Sequence, residues 1–230
     1  VMALAVHDLA LQGDINGVRV AVRCEVADRT ANVGGDWYLS MALPDGDVLL
    51  AVGDVMGHGR TAAATMVQLR AVMTRLSLAG DEPGAVLAAL NRMLCRRHTT
   101  MLATAVCGRF RPADRTLTWA RAGHLPILRA TSEGVSPLFQ PPGMALGVDP
   151  AARYSQATVR LAGGEMLFMY TDGVVEQRDR AIDQGVQDLA EDVRLAMRTA
   201  APGERLRNAI DQARRGNPDD DACLLAAEPV

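Results

Sequence analysis

The 230-residue chain contains no lysine: all 24 of its basic residues are arginine. Chemistry that needs a lysine amine is thereby excluded, including Schiff bases, the Walker phosphate-loop lysine and the strand lysine of protein kinases. Aromatic residues make up only 3% of the chain, too few for a base-stacking platform. Acids outnumber bases 27 to 24, so the net charge of −3 offers no basic surface to a nucleic acid. Cysteines are few (Cys24, Cys95, Cys107, Cys223), none forms a C-x-x-C pair, and His7, His58, His98 and His124 are equally scattered, which excludes zinc-ribbon and thioredoxin-like spacing. No apolar run reaches the roughly 18 residues that span a bilayer, so no membrane segment is expected in this chain. With no signal peptide visible, the expectation is a cytoplasmic protein whose thiols are free and mostly buried. The start at Val1 is expected to be a cut edge within a longer protein, with residues 1–17 as a lead-in to a single domain that fills 1–230.

What is present is a regular alternation of strand and helix signals. Val18–Val26 and Trp37–Leu43 read as strands; Pro44-Asp45-Gly46-Asp47 is a turn, and Val48–Val52 is a continuous apolar run typical of a buried strand, the whole suggesting an antiparallel hairpin that ends at Asp54. Ala62, Met66, Leu69, Met73 and Leu76 recur at helical spacing until Gly80, and Asp81 is expected to cap a second helix with Pro83 in its first turn. These Met and Leu stripes are assigned to the core, not to a ligand. Strands resume at Ala105–Phe110, Leu117–Ala122, Ile127–Arg129, Tyr154–Leu161 and Met166–Tyr170; helices follow at Asp183–Arg198 and Glu204–Arg214, and Ala222–Ala226 is a final strand. Strands, a helix pair, strands, a second helix pair and a last strand predict an α+β architecture of antiparallel sheets with helices outside.

Aspartates recur in one context. Asp36 follows Gly34-Gly35, Asp54 opens Asp-Val-Met-Gly-His-Gly, Asp172 sits in Thr-Asp-Gly, and Asp219-Asp220-Asp221 precede the last strand. Each lies at the mouth of an apolar strand. Taken singly, a Gly-Gly-Asp or Thr-Asp-Gly is a turn and a triple Asp near a terminus is a solvated loop. Together, four carboxylates at strand ends would repel one another unless cations sat among them. An all-oxygen set selects Mg²⁺ or Mn²⁺ over Zn²⁺, and four negative charges match two divalent ions.

The stretches VGGDWY, LLAVGDVMGHG, TMLATAVCGRF, LTWARAGHLPILR, GMALGV, LFMYTDGVVEQRD and NPDDDACLL, from about Asn32 to Leu225, resemble the metal-dependent protein phosphatases (protein phosphatase 2C-like), specifically their bacterial SpoIIE/RsbU branch. The resemblance implies a four-layer α-β-β-α sandwich. It implies that Asp54 bridges two Mn²⁺ or Mg²⁺ ions, that the Val55 carbonyl is also a ligand, that Asp36 serves the second ion, and that Asp172 and Asp220 serve the first. Strand alternation sets Asp220 on the opposite face from Asp219 and Asp221, and Asp221 is expected to orient it. Asp54 and Asp36 are thus the catalytic carboxylates of an in-line attack by water on phosphoserine or phosphothreonine, without a phosphoenzyme. His58 is a candidate to protonate the leaving oxygen, with a loop-ordering role between two glycines as the more ordinary reading; His124 is read as a structural loop residue. Two departures stand out: Leu39 replaces a carboxylate often found after the aromatic pair, and Cys223 replaces a Thr-like residue after the acidic run.

The resemblance further implies a phosphorylated protein substrate, an anti-sigma-factor antagonist of the STAS type in a partner-switching pathway, and an upstream sensor domain; a homodimer is compatible with it. The alternative of another class is a catalytically silent regulatory binding module of the same fold, whose mark would be lost ligands. A diguanylate cyclase is excluded because Trp37 stands where a second acid is needed after Gly34-Gly35-Asp36. The two helices after Asp54, Gly59–Ala79 and Asp81–Arg97, are expected to act as a switch that shifts Asp36 and Asp54 relative to Asp172 and Asp220.

Overall fold

A computed structural model of the chain describes residues 10–26, 34–96, 101–177, 179–199, 204–213 and 220–230. The first nine residues of the lead-in, His98, Arg97 and Asn217–Asp219 of the acidic run lie outside the described residues.

Among the described residues eleven strands pair in antiparallel fashion. Six of them, β1 (Ala10–Ile15), β2 (Val18–Glu25), β7 (Ile127–Ala130), β8 (Val135–Leu138), β10 (Met166–Tyr170) and β11 (Ala222–Pro229), form one sheet in the order β1-β2-β11-β10-β7-β8. The other five, β3 (Trp37–Ala42), β4 (Val48–Val55), β5 (Ala103–Arg111), β6 (Thr116–Ala122) and β9 (Gln156–Arg160), follow the order β3-β4-β5-β6-β9. The helices are α1 (Arg60–Leu78), α2 (Pro83–Cys95), a short α3 (Asp172–Val175), α4 (Ile182–Thr199) and α5 (Arg205–Gln212).

Side-chain alternation assigns the layers. In β4, Leu49 and Ala51 pack with Met66, Leu69 and Met73 of α1 and Leu87 and Leu90 of α2. The alternate residues Val48, Leu50 and Val52 meet Val20 and Val22 of β2, Leu167 and Met169 of β10 and Leu225 of β11 in a middle core. Met166, Phe168 and Tyr170 of β10 turn the other way, onto Leu189 and Val193 of α4 and Ile210 of α5. Three cores separate four layers, the α-β-β-α sandwich. Because β4 and β10 are buried on both faces, they read as unbroken apolar runs in the sequence. Each such Leu, Met or Phe contributes about 1.5–3 kcal/mol by leaving water. Gly80 stops α1 in the left-handed region at φ 90°, where its N–H reaches the Ser77 carbonyl and Asp81 N–H reaches that of Leu76.

Several expectations need correction. Strand β1 lies within the segment read as a lead-in: with two turn residues, Asn16 and Gly17, it makes a hairpin onto β2. The hairpin ending at Asp54 is β3–β4 alone, since β2 belongs to the other sheet. The residue capping α2 is Glu82, with no side-chain cap bond, because Pro83 occupies the first helical position and fixes the chain one residue later than Asp81. Strand β8 was not anticipated; Pro137 within it concealed the signal. Of the four cysteines, Cys24 and Cys223 are disulfide-bonded, so two thiols remain free, Cys95 and the buried Cys107. The pairing follows from register: Cys24 and Cys223 are direct neighbours across β2 and β11, with Cα atoms 4.1 Å apart. Sequence spacing of 199 residues carries no sign of it.

Candidate metal centre

The predicted acids Asp36, Asp54, Asp172 and Asp220 come close enough at one end of the gap between the sheets to repel one another, and strand parity turns the first two into that gap. Asp54 has the parity of Leu50 and Val52, which face the middle core, and Asp36 has the parity of Tyr38, which packs against that core. Thr171, one step beyond β10, has the parity of Leu167 and Met169; its hydroxyl donates to Asp36 Oδ2 at 2.6 Å. That hydroxyl also accepts from the Cys223 N–H at 2.8 Å, while the Thr171 N–H donates to the Cys223 carbonyl at 3.0 Å. Asp36 and Asp54 therefore come from the five-stranded sheet, and Asp172, Asp220 and Asp221 from the ends of two adjacent strands of the six-stranded one.

Close approach explains the glycines. A Cβ on Gly35 would lie 2.5 Å from the Val55 carbonyl oxygen and 3.1 Å from Asp54 Oδ1. Only a residue without a side chain leaves those two oxygens exposed to the gap. Val55 N–H donates to the Gly35 carbonyl at 3.2 Å, which fixes the loop against the end of β4. On the other sheet, a Cβ on Gly173 would lie 1.9 Å from the Asp221 carbonyl oxygen, so the Thr-Asp-Gly turn can lie flat on the start of β11 only with glycine there.

Electrostatically the cluster is uncompensated. Burial, then the neighbouring Asp54, holds the Asp36 carboxyl well above its ordinary value, although the Thr171 hydroxyl pulls it down. Burial and the charge of Asp172 push Asp54 from 3.8 up to about 7, while a hydrogen bond with Asp36 works the other way. Asp172 is raised by burial and Glu176, and Asp220 by burial and Asp172. Among the described residues no arginine forms an ion pair with Asp36, Asp54, Asp172 or Asp220. Nor is any group of three or more His, Cys, Asp or Glu among them gathered tightly enough to hold one ion by itself. Partly dehydrated oxygens that repel each other fit hard divalent cations whose remaining coordination positions are filled by water.

Asp221 carries more structure than the sequence reading gave it. Its carboxylate accepts from the Gly35 N–H at 2.8 Å, tying the two sheets together, whereas Asp220 is exposed and accepts from the Asp221 N–H at 2.9 Å. His58 is exposed in the loop between Asp54 and α1. His124 is buried, and its Nδ1 lies 2.8 Å from Thr104 Oγ1. Thr171 and Thr104 were missed by motif reading; extending strand parity one residue past β10 finds the first.

The sequence-family model described as Stage II sporulation protein E (SpoIIE) matches residues 44–229. The phosphoserine phosphatase RsbU of Bacillus subtilis (strain 168) is 28% identical over 148 residues, 64% of this chain and 44% of that protein. The chain thus spans less than half the length of this curated relative. Among solved structures, the RsbU and RsbW domains of Rv1364c from Mycobacterium tuberculosis superpose with a TM-score of 0.79 at 29% identity, over 96% of this chain and 64% of that one. The catalytic domain of the serine/threonine protein phosphatase PstP, in complex with 2 manganese ions, shares the fold at a TM-score of 0.66 and 17% identity, over 92% of this chain and 97% of that one. With two antiparallel sheets, outer helices and acids gathered at one end of the gap, the chain belongs to the SpoIIE family of the metal-dependent protein phosphatases.

Proposed function

We propose that the chain is a protein serine/threonine phosphatase domain, dependent on two Mn²⁺ or Mg²⁺ ions held by Asp36, Asp54, the Val55 carbonyl, Asp172 and Asp220. The observation that carries this reading is the set of mutually repelling carboxylates, half-buried at Asp36, Asp54 and Asp172, with which no arginine among the described residues forms an ion pair. Relatives named phosphoserine phosphatase and a fold-mate holding two manganese ions support it. When bound, the ions supply positive charge to the phosphoryl oxygens and acidify a water for in-line attack on phosphorus. The chain's own residues do the rest. Asp54 and Asp36, stripped of water, give their charge to the ions instead of to solvent. Thr171 fixes which way Asp36 points, Asp221 holds the Gly35 turn, and the exposed His58 is free to turn toward the leaving oxygen and protonate it.

The proposed substrate is a phosphoserine or phosphothreonine on a protein, an anti-sigma-factor antagonist of the STAS type, in a cytoplasmic partner-switching pathway with a sensor domain elsewhere in the full protein. The open, exposed surroundings of His58 and Asp220 suit a folded phosphoprotein better than a small buried metabolite. We retain the two helices after Asp54 as the proposed switch: α1 starts at Arg60, directly after the Asp54–Gly59 loop, and α1 and α2 pack on the face of β4 opposite Asp54.

The test is phosphate release from a phosphoserine protein and from p-nitrophenyl phosphate, with and without Mn²⁺, beside Asp54→Asn. Turnover that requires Mn²⁺ and falls by about 10³-fold or more in the variant, some 4 kcal/mol of barrier, is the expected result. Absence of Mn²⁺ binding would leave the silent binding module as the reading.

A further inference from the structure

The chain crosses from the five-stranded to the six-stranded sheet at residues 123–126, between β6 and β7. His124 stands in that crossing, 6% exposed. Its Nδ1 lies 2.8 Å from the hydroxyl of Thr104, and Thr104 is the direct cross-strand partner of Asp54. Thr104 shares the parity of Val106 and Phe110, so its hydroxyl faces the gap between the sheets, as Asp54 does. The other ring nitrogen, Nε2, is buried without a partner in hydrogen-bond geometry. The acceptor that favours a proton on the ring is the backbone carbonyl of Tyr170, the residue before Thr171, which in turn grips Asp36.

The backbone behind the ring is clamped. Arg121 donates from Nη1 to the His124 carbonyl at 3.1 Å and from Nε to the Pro141 carbonyl at 3.2 Å. Gly123 holds φ at +63°, and a Cβ there would lie 2.9 Å from Ala145 Cα and Cβ. The imidazole is therefore set in place from its own main chain and cannot swing out with its loop. Burial and the nearby Arg121 charge push its pKa down to about 3, so it is neutral wherever the protein would work and is unsuited to proton transfer there.

We propose that His124 is a positioning residue of the metal centre: lodged between Thr104 on one sheet and the Tyr170 carbonyl on the other, it sets the distance between Asp36 and Asp54 and their counterparts Asp172 and Asp220. In this arrangement the Thr104 hydroxyl donates to Nδ1, which leaves the single ring proton on the buried Nε2. Two other ties cross the same gap, Gly35 to Asp221 and Thr171 to Asp36, but both run through the acidic loops themselves. His124 alone of the three ties strand to strand without involving an acid. The two sets of ligands must meet shared ions, so an error in sheet spacing weakens every ion at once. This inference rests on the phosphatase reading above only in supposing that the acids hold divalent ions.

Mn²⁺ titration by calorimetry, alongside thermal melts of the metal-free proteins, separates the two. Wild type, His124→Ala, His124→Gln and Thr104→Val are compared, together with the double variant His124→Ala/Thr104→Val. Expected are about 10- to 100-fold weaker Mn²⁺ binding in His124→Ala, a smaller loss in Thr104→Val, and partial rescue in His124→Gln, whose amide reaches both sheets. The double variant should bind no more weakly than His124→Ala, because one bond is removed twice. The pH dependence of hydrolysis between 6 and 9 should keep its shape in His124→Gln, since a neutral spacer contributes no limb. Should His124→Ala not fold, Thr104→Val and His124→Gln carry the same comparison. Mn²⁺ affinity equal to wild type in the folded variants overturns the inference and leaves the phosphatase reading standing; absence of Mn²⁺ binding in wild type overturns both.

Discussion

Strand β4 has an acid at each end, and the two ends are treated in opposite ways. Asp47, just before the strand, is buried and meets Arg109 Nε at 2.6 Å, with the Arg109 fork also on Asp45 and Arg111 3.8 Å away. Asp54, seven residues along, is surrounded by Asp36, Asp172, Asp220 and Asp221. A chain with 24 arginines has the means to neutralise both. At the Asp47 end a guanidinium fork offsets the cost of burial and closes the turn. At the Asp54 end no arginine among the described residues pairs with the acid, and folding brings further acids toward it. A charge that the protein could cancel and does not is a charge kept for something outside the protein.

Breaking the neutral end should have the larger effect on stability. Arg109→Ala leaves the buried Asp47 with only the more distant Arg111, a loss toward the lower end of the about 3–5 kcal/mol for a buried pair cut on one side. Urea unfolding should show it as a lower midpoint at unchanged slope, while Mn²⁺ affinity stays at the wild-type value, because Arg109 and Asp54 lie at opposite ends of the strand. A fall in Mn²⁺ affinity as large as the fall in stability would mean that the two ends are not independent.

The acidic end predicts the opposite pH response. Asp54 titrates near 4 when unfolded and at about 7 in the fold, so between those values the folded state holds the extra proton. Its contribution to stability is complete below about pH 4 and is lost as the pH rises through about 7. Without metal, wild type should therefore lose stability between pH 5 and pH 8, by an amount of the order of a few kcal/mol, relative to Asp54→Asn. Saturating Mn²⁺ should restore it, since the ions take the place of the protons. Parallel stability curves for wild type and Asp54→Asn, measured in a chelator, would refute this.

The same contrast shows what could be read from residue order. The layers were legible because β4 and β10 are apolar on both faces and α1 carries its Met and Leu at helical spacing; such patterns are local and survive without a partner. The acids Asp36, Asp54, Asp172 and Asp220 were legible because each adjoins glycine or a strand end, and a resemblance then gathered them. The Asp47–Arg109 pair was not, since it joins residues 62 positions apart that are ordinary in their own surroundings. For the same reason the Cys24–Cys223 pairing, the Gly35–Asp221 bond and the Thr104–His124 contact became visible only with strand register. The capping of α2 failed differently: Asp81 suits a cap, but Pro83 at the first helical position makes Glu82 the residue before the helix.

The smallest effect tests why the neutral end uses arginine at all. Arg109→Lys keeps the charge beside Asp47 but replaces a planar fork by a single ammonium. Arg109 reaches three acceptors in different directions: Asp47, Asp45 and the Gly80 carbonyl at 3.4 Å, at the C-terminal end of α1. A lysine can keep the buried Asp47 and must release the others, of which Asp45 is exposed and returns to water at little cost. The expected loss is about 1 kcal/mol, well below that of Arg109→Ala, with Asp47 still paired. If lysine instead destabilises as much as alanine does, the guanidinium geometry is what closes the turn, and charge compensation at the Asp47 end is secondary to shape.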